Sequence, residues 1–150
     1  MKELKECLFE TFKEEYVSSG IIMNEDVHNQ FTAIGSIYLI KKEFSNKLKI
    51  FNFESKKFEE MDSNSISFKT HSFHHAFKLR KGYMKTVFEL MGNLFQFYNC
   101  HLYSDKSNLK ASQDVPSPFS IDRRNQLETI FNHSTELSSN SFYFGDFNFR

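Results

Sequence analysis

Five short apolar runs constrain this chain more than anything else in it: Phe31–Ile40, Leu48–Phe53, Tyr83–Leu90, Leu94–Leu102 and Phe142–Phe144. They are rich in β-branched and aromatic residues, and polar or Gly-containing stretches bound them, which is the pattern of β-strands. Phe31–Ile40 is almost wholly apolar and reads as a central strand covered on both faces. A turn around Ser45–Asn46 would join it to Leu48–Phe53 as a hairpin, and Met91-Gly92-Asn93 would reverse the chain between the next two runs. With 19 Phe and no Trp, phenylalanine must fill most of the core.

Two stretches carry helical periodicity. Leu4, Leu8, Phe9, Phe12 and Tyr16 form one stripe over Lys2–Ser18, with Gly20 as the stop. Ser120 or Asp122 can cap a second helix whose buried side is Leu127, Ile130 and Phe131. Glu54–Lys78 reads as an irregular surface excursion, and Ser104–Pro118 as a loop. Strands mixed with helices predict an α/β (α+β) sandwich with a mixed sheet, residues 1–150 forming a single domain. The buried strand Phe142–Phe144 is followed only by Gly145–Arg150, so the domain reads as incomplete.

Composition excludes several classes. Lys plus Arg and Asp plus Glu both total 19, so no net field draws the chain to nucleic acid. The charged N-terminus is no signal peptide, and about eighteen consecutive apolar residues, the length of a membrane span, occur nowhere. Cys7 and Cys100 lack metal-ligand or redox spacing, which predicts a reduced, cytoplasmic setting. No Gly-rich phosphate loop, nucleophilic Ser elbow or His-Glu metalloprotease pattern is present.

The chemistry concentrates at strand ends. Gly145-Asp146-Phe147-Asn148 follows an apolar strand, which puts the Asp146 carboxylate and the Asn148 amide on one side. A carboxylate beside a neutral amide suits water activation at phosphorus, Asp146 taking the proton and Asn148 orienting the nucleophile. Asp-x-Asn after a strand is by itself more often turn chemistry. His101 ends another strand and could donate to a phosphate oxygen, although a lone His there is usually structural. The expectation is that imidazole and carboxylate come within reach with a phosphate between them. Lys81 in Arg80-Lys81-Gly82 could contact an anion, and Arg123-Arg124-Asn125 adds a second basic group. No Cys or carboxylate stands at metal-ligand spacing from His71, His74 and His75, which read as surface histidines.

The order Phe31-Thr32-Ala33-Ile34-Gly35-Ser36, Arg80-Lys81-Gly82, Asn99-Cys100-His101-Leu102, Asp105, Ser107-Asn108-Leu109, and Phe144-Gly145-Asp146-Phe147-Asn148-Phe149-Arg150 resembles type I inositol polyphosphate 5-phosphatases. That family belongs to the endonuclease, exonuclease and phosphatase superfamily with the DNase I-like fold. The resemblance runs from about Phe31 to Arg150 and implies a partial DNase I-like sandwich, truncated at both ends. It further implies hydrolysis of the 5-phosphate of inositol 1,4,5-trisphosphate and related inositol phosphates. Asp146 would be the general base, Asn148 would position water, and His101 would bind the scissile phosphate. Lys81, Asn99, Arg124, Asn125 and Arg150 would be substrate or scaffold contacts.

Mg²⁺ is implied as cofactor, but the Glu that holds it in the family precedes the matching region, and a late Asp-His pair would follow it. Ser104 stands where type I members tend to have a second His. The chain itself is therefore expected to have little or no activity. An inositol phosphate is the expected partner and nucleic acid is not, with any membrane association left to the full-length protein. Two alternatives remain. A Mg²⁺-dependent nuclease of the same superfamily would show a salt-sensitive shift with duplex DNA, and a non-catalytic remnant would lack a cooperative thermal transition.

Overall fold

The computed structural model describes residues 7–8, 10–24, 34–61, 67–73, 81–114, 116–134 and 140–149. Its strands are β1 (Tyr16–Asn24), β2 (Ile34–Lys41), β3 (Leu48–Asn52), β4 (Lys57–Glu60), β5 (Lys69–Ser72), β6 (Gly82–Leu90), β7 (Asn93–His101) and β8 (Asn140–Asp146). Its helices are α1 (Asn108–Gln113) and α2 (Ser120–Ser134). No helix among the described residues is long and apolar enough to cross a membrane.

β6 and β7 form the centre. They pair antiparallel along their whole length, and Met91 and Gly92, both at positive φ (52 and 80), close a two-residue turn. The hairpin expected here is present, with Asn93 already in the strand. β3 and β5 share the other edge of β6, β4 pairs with β3, and β8 pairs parallel with β7, giving a six-stranded sheet. β1 and β2 form a separate antiparallel two-stranded sheet.

The side-chain period of two sorts β7 into two faces. Tyr98, Cys100 and Leu102 face α2 and form a core with Tyr83, Tyr103, Phe73 and Ile130. Phe97 and Asn99 face β2, where Tyr38 packs against Phe88 and Phe97, Ile34 against Met84, and Asn99 bonds to Gly35 and Ser36. The result is a β-sheet layer, a mixed six-stranded sheet and a helix. This confirms the mixed α/β sandwich and is consistent with part of a DNase I-like fold.

Several elements differ from expectation, each for a local reason. The N-terminal helix ends early: Glu10–Phe12 are helical, but Tyr16–Asn24 is a strand and Gly20 sits at a β-bulge in the β1–β2 ladder rather than at a helix stop. β2 is not the centre of the large sheet. Its residues Ile34, Ser36 and Tyr38 turn toward that sheet, while Ile37 is 40% exposed. It makes no hairpin with β3, because the 3-10 turn Lys42–Lys47 carries the chain from one sheet to the other.

Glu54–Lys78 is not wholly irregular. It supplies β4 and β5, whose backbones saturate the edges of β3 and β6. α1 likewise lies inside the expected loop Ser104–Pro118. α2 buries Arg123 and Gln126 beside Ile130, whereas Phe131 is 46% exposed and touches Tyr143 edge-on. β8 is an edge strand rather than a buried one. Phe142 is 48% exposed even though it stacks on Phe97.

Candidate active site

The parallel pairing of β7 with β8 places the C-terminal ends of two strands side by side, and His101 and Asp146 are direct register partners there. The chain gets from one to the other through α2, as a parallel crossover requires. His101 Nε2 lies 3.7 Å from Asp146 Oδ2, with the two side chains 36% and 62% exposed. Imidazole and carboxylate are thus brought together on one face. At that separation no phosphoryl group fits between them, so the expectation of a gap is corrected.

Gly145 shapes this strand end. Its φ is +115, and a Cβ there would fall 2.2 Å from the Cys100 carbonyl oxygen and 2.7 Å from Asn99 Oδ1. Only glycine lets the two backbones approach so closely just before the carboxylate. Beyond it, Asn148 adopts φ 52, donates its backbone N–H to Asp146 Oδ1 (2.9 Å) and donates Nδ2 to Leu102 O (2.9 Å). The turn reading of Asp-x-Asn is therefore realised, with Asn148 buried and its amide nitrogen bonded to the backbone. One consequence is chemical, since the N–H on Oδ1 fixes the carboxylate and leaves Oδ2 toward His101.

Lys81 joins the cluster. Its Nζ lies 2.7 Å from His101 Nε2, within hydrogen-bonding distance, although the residue is only 9% exposed. Asn99 lies on the same face, but its Nδ2 donates to Gly35 O (2.7 Å) and Ser36 Oγ (3.2 Å), so it ties the two sheets together. Arg124 and Asn125 are exposed on α2, which covers the opposite face of β7, and Arg124 Nε pairs with Glu128 at 3.0 Å. The structure does not bring these two to the cluster. Arg150, Arg80, His74 and His75 lie outside the described residues. His71, expected at the surface, stacks on Tyr83 instead.

Behind the site sits a buried ion pair that the sequence did not single out. Arg123 Nη1 donates to Asp105 Oδ2 at 2.8 Å, their side chains being 3% and 2% exposed. Arg123 also donates to Tyr103 O and Ser117 Oγ, and Asp105 Oδ1 accepts from the Phe119 N–H. Burial pushes the Asp105 carboxyl up, but the hydrogen bonds from Arg123, Phe119 and Ser117 with the Arg123 charge outweigh it, and the group stays below the usual range. This staple fixes the start of α2 against the segment leaving β7. Arg123 was legible only as one member of the basic pair Arg123-Arg124. Its helix face, shared with Gln126 and Ile130, was the available signal.

The described residues do not assemble a metal centre. No three His, Cys, Asp or Glu side chains converge among them, and Asp146 already accepts from Asn148 on one oxygen. They therefore do not fit the Mg²⁺ that the resemblance implies. An open apolar cleft of about 430 Å³ lies elsewhere, among Tyr38, Ile40, Leu48, Phe88, Phe97 and Phe142, and excludes His101 and Asp146.

The mixed-sheet sandwich brings His101 and Asp146 together at adjacent parallel strand ends, with Lys81 beside them just before β6, an arrangement consistent with part of a DNase I-like fold. Comparison with known proteins then shows what the chain is similar to. A protein named "Probable type I inositol 1,4,5-trisphosphate 5-phosphatase" from Caenorhabditis elegans is 32% identical over 143 residues, 81% of this chain and 34% of that protein. Inositol polyphosphate-5-phosphatase A of Rattus norvegicus and of Homo sapiens is 29% identical over 168 aligned positions, 99% of this chain and 40% of each. No family model matches the chain. The chain is thus similar to proteins named inositol polyphosphate 5-phosphatases, and it spans about 34% to 40% of the length of these relatives.

Proposed function

We propose that this chain forms part of an inositol polyphosphate 5-phosphatase that removes the 5-phosphate of inositol 1,4,5-trisphosphate and related soluble inositol phosphates in phosphoinositide and calcium signalling. The observation that carries the reading is the His101–Asp146 contact of 3.7 Å at adjacent parallel strand ends, with Lys81 beside it. Asp146, aimed by the Asn148 N–H, would take a proton from the attacking water. His101 and Lys81 would face the phosphate oxygens and offset the charge that develops on them.

Asn99 and Asn148 act by holding the backbone around the site rather than by touching substrate. Arg150 remains a candidate contact for the other phosphates, whereas Arg124 and Asn125, on the helix over the opposite face of β7, are left out of the proposed site. Mg²⁺ belongs to the proposal for a longer protein whose other segments supply its carboxylates. A cytoplasmic location, with membrane association only for such a longer form, is part of the same reading.

The test is phosphate release from inositol 1,4,5-trisphosphate by a chain extended to the length of its relatives, with Mg²⁺ present. Asp146→Asn should lower turnover by at least about 10²-fold, the low end of a general base's contribution, with an unchanged thermal melt. Wild-type turnover in that variant would remove Asp146 from the role of base.

A further inference from the structure

Lys81 immediately precedes Gly82, which lies across from His101 in the β6–β7 ladder. Its ammonium is 2.7 Å from His101 Nε2. An ammonium has three donors and no acceptor, so Nε2 must present its lone pair. The proton between the two nitrogens resides on the amine, whose ordinary pKa of about 10.4 stands well above the imidazole's, about 6.5. A second proton on the ring would set two cations head to head.

Asp146 Oδ2 approaches the same nitrogen at 3.7 Å, outside hydrogen-bonding distance, and would favour a proton on it. β2 brings Ile34, Gly35 and Ser36 to this end of the sandwich, none of them titratable. Lys81 and Asp146 both face the imidazole, and they pull its tautomer in opposite directions. The shorter contact prevails.

We infer that Lys81 is a positioning residue that holds His101 neutral, with its proton on Nδ1, until an anion draws the ammonium away and Nε2 takes up a proton from solvent to become a donor. The identity of that anion, a phosphate ester, rests on the proposed phosphatase reading. The balance is simple: one proton moves from water or buffer to Nε2, and no covalent bond of the ligand changes. Lys81 thereby makes the site's second cation conditional on a bound anion, and His101 does not compete for Asp146 beforehand.

Long-range proton–nitrogen NMR on the ¹⁵N-labelled chain near neutral pH reads the tautomer directly. The wild-type chain should show His101 neutral and protonated on Nδ1, whereas Lys81→Met should show the Nε2–H form or the cation, titrating at higher pH. Adding inositol 1,4,5-trisphosphate should convert wild-type His101 to the doubly protonated pattern. Calorimetry in buffers of different ionisation enthalpy should then record uptake of roughly one proton per site.

An Nε2–H tautomer in the ligand-free wild type overturns the inference, and that reading does not depend on any variant folding. Binding that leaves His101 unchanged with no proton uptake overturns it as well. If the trisphosphate fails to bind while wild type and Lys81→Met differ as stated, the 5-phosphatase reading falls and control of the tautomer by Lys81 stands.

Discussion

Gly145→Ala isolates what the close approach of β8 to β7 is worth. The added methyl would meet the Cys100 carbonyl oxygen at 2.2 Å, the Cys100 nitrogen at 2.8 Å and Asn99 Oδ1 at 2.7 Å. Two of these atoms are backbone and belong to a strand paired on both sides, so they cannot yield without breaking ladder bonds. Overpacking of this kind costs about 1–3 kcal/mol, and holding a non-glycine residue at φ +115 adds about 1–3 kcal/mol of backbone strain. The sum, about 2–6 kcal/mol, is a large part of the stability of a domain this size, about 5–15 kcal/mol.

With a urea slope of about 2 kcal/mol per molar, the unfolding midpoint should fall by about 1–3 M. Gly92→Ala is the control. Gly92 has φ +80 but no atom within 4 Å of the place a Cβ would take, so only strain of about 1 kcal/mol applies and the midpoint should move by about 0.5 M. Equal shifts for the two variants, or no shift for Gly145→Ala, would refute the steric argument and with it the claim that β8 is held this tightly at its end.

Breaking the buried pair with Asp105→Asn should destabilise the fold by about 3–5 kcal/mol, because Arg123 loses its counter-charge; chemical denaturation measures this. The Asp105 carboxyl is lowered on folding, so its contribution is complete above the ordinary value of 3.8 and is lost as pH falls from there through the folded value. The variant should lack that acid-side decline, and a wild-type-like pH profile would sink the assignment. Burial pushes the Cys100 thiol up to about 12, while Cys7 is exposed. Iodoacetamide under native conditions should therefore label Cys7 and leave Cys100 unmodified until urea unfolds the chain. Native labelling of both would show that the α2 face of β7 is open.

The parts of the fold that were legible in the sequence are those where local pattern and tertiary environment agree. β3, β6 and β7 combine apolar runs with a turn whose residues can adopt positive φ, so their existence followed from short-range chemistry. β1, β4 and β5 did not: the first part of β1 falls inside the stretch with helical periodicity, and β4 and β5 are four-residue, mostly polar strands that owe their extended form to backbone pairing with β3 and β6. The hairpin expected between β2 and β3 failed because a polar connection says nothing about whether the chain turns back or crosses to another sheet.

The site divides the same way. Asp146 and His101 stand at strand ends that composition marks, and the resemblance paired them. The contact of Lys81 with His101, the commitment of Asn99 to Gly35, and the bond from Asn148 to Leu102 are tertiary facts that no spacing encodes. Arg124 looked like its neighbour Arg123 in sequence, yet one residue of helical rotation separates a solvated pair with Glu128 from a buried staple.

The parallel partnership of β7 and β8 sets an order of assembly. β6 and β7 can zip together locally, bringing Lys81 and His101 near one another early, but the carboxylate arrives only after residues 102–139 have closed a long loop around α2. A partly folded chain would thus hold the ammonium and the imidazole without the carboxylate that takes the proton, and remain chemically silent. Amide exchange fastest in β8 would be the trace of that late arrival.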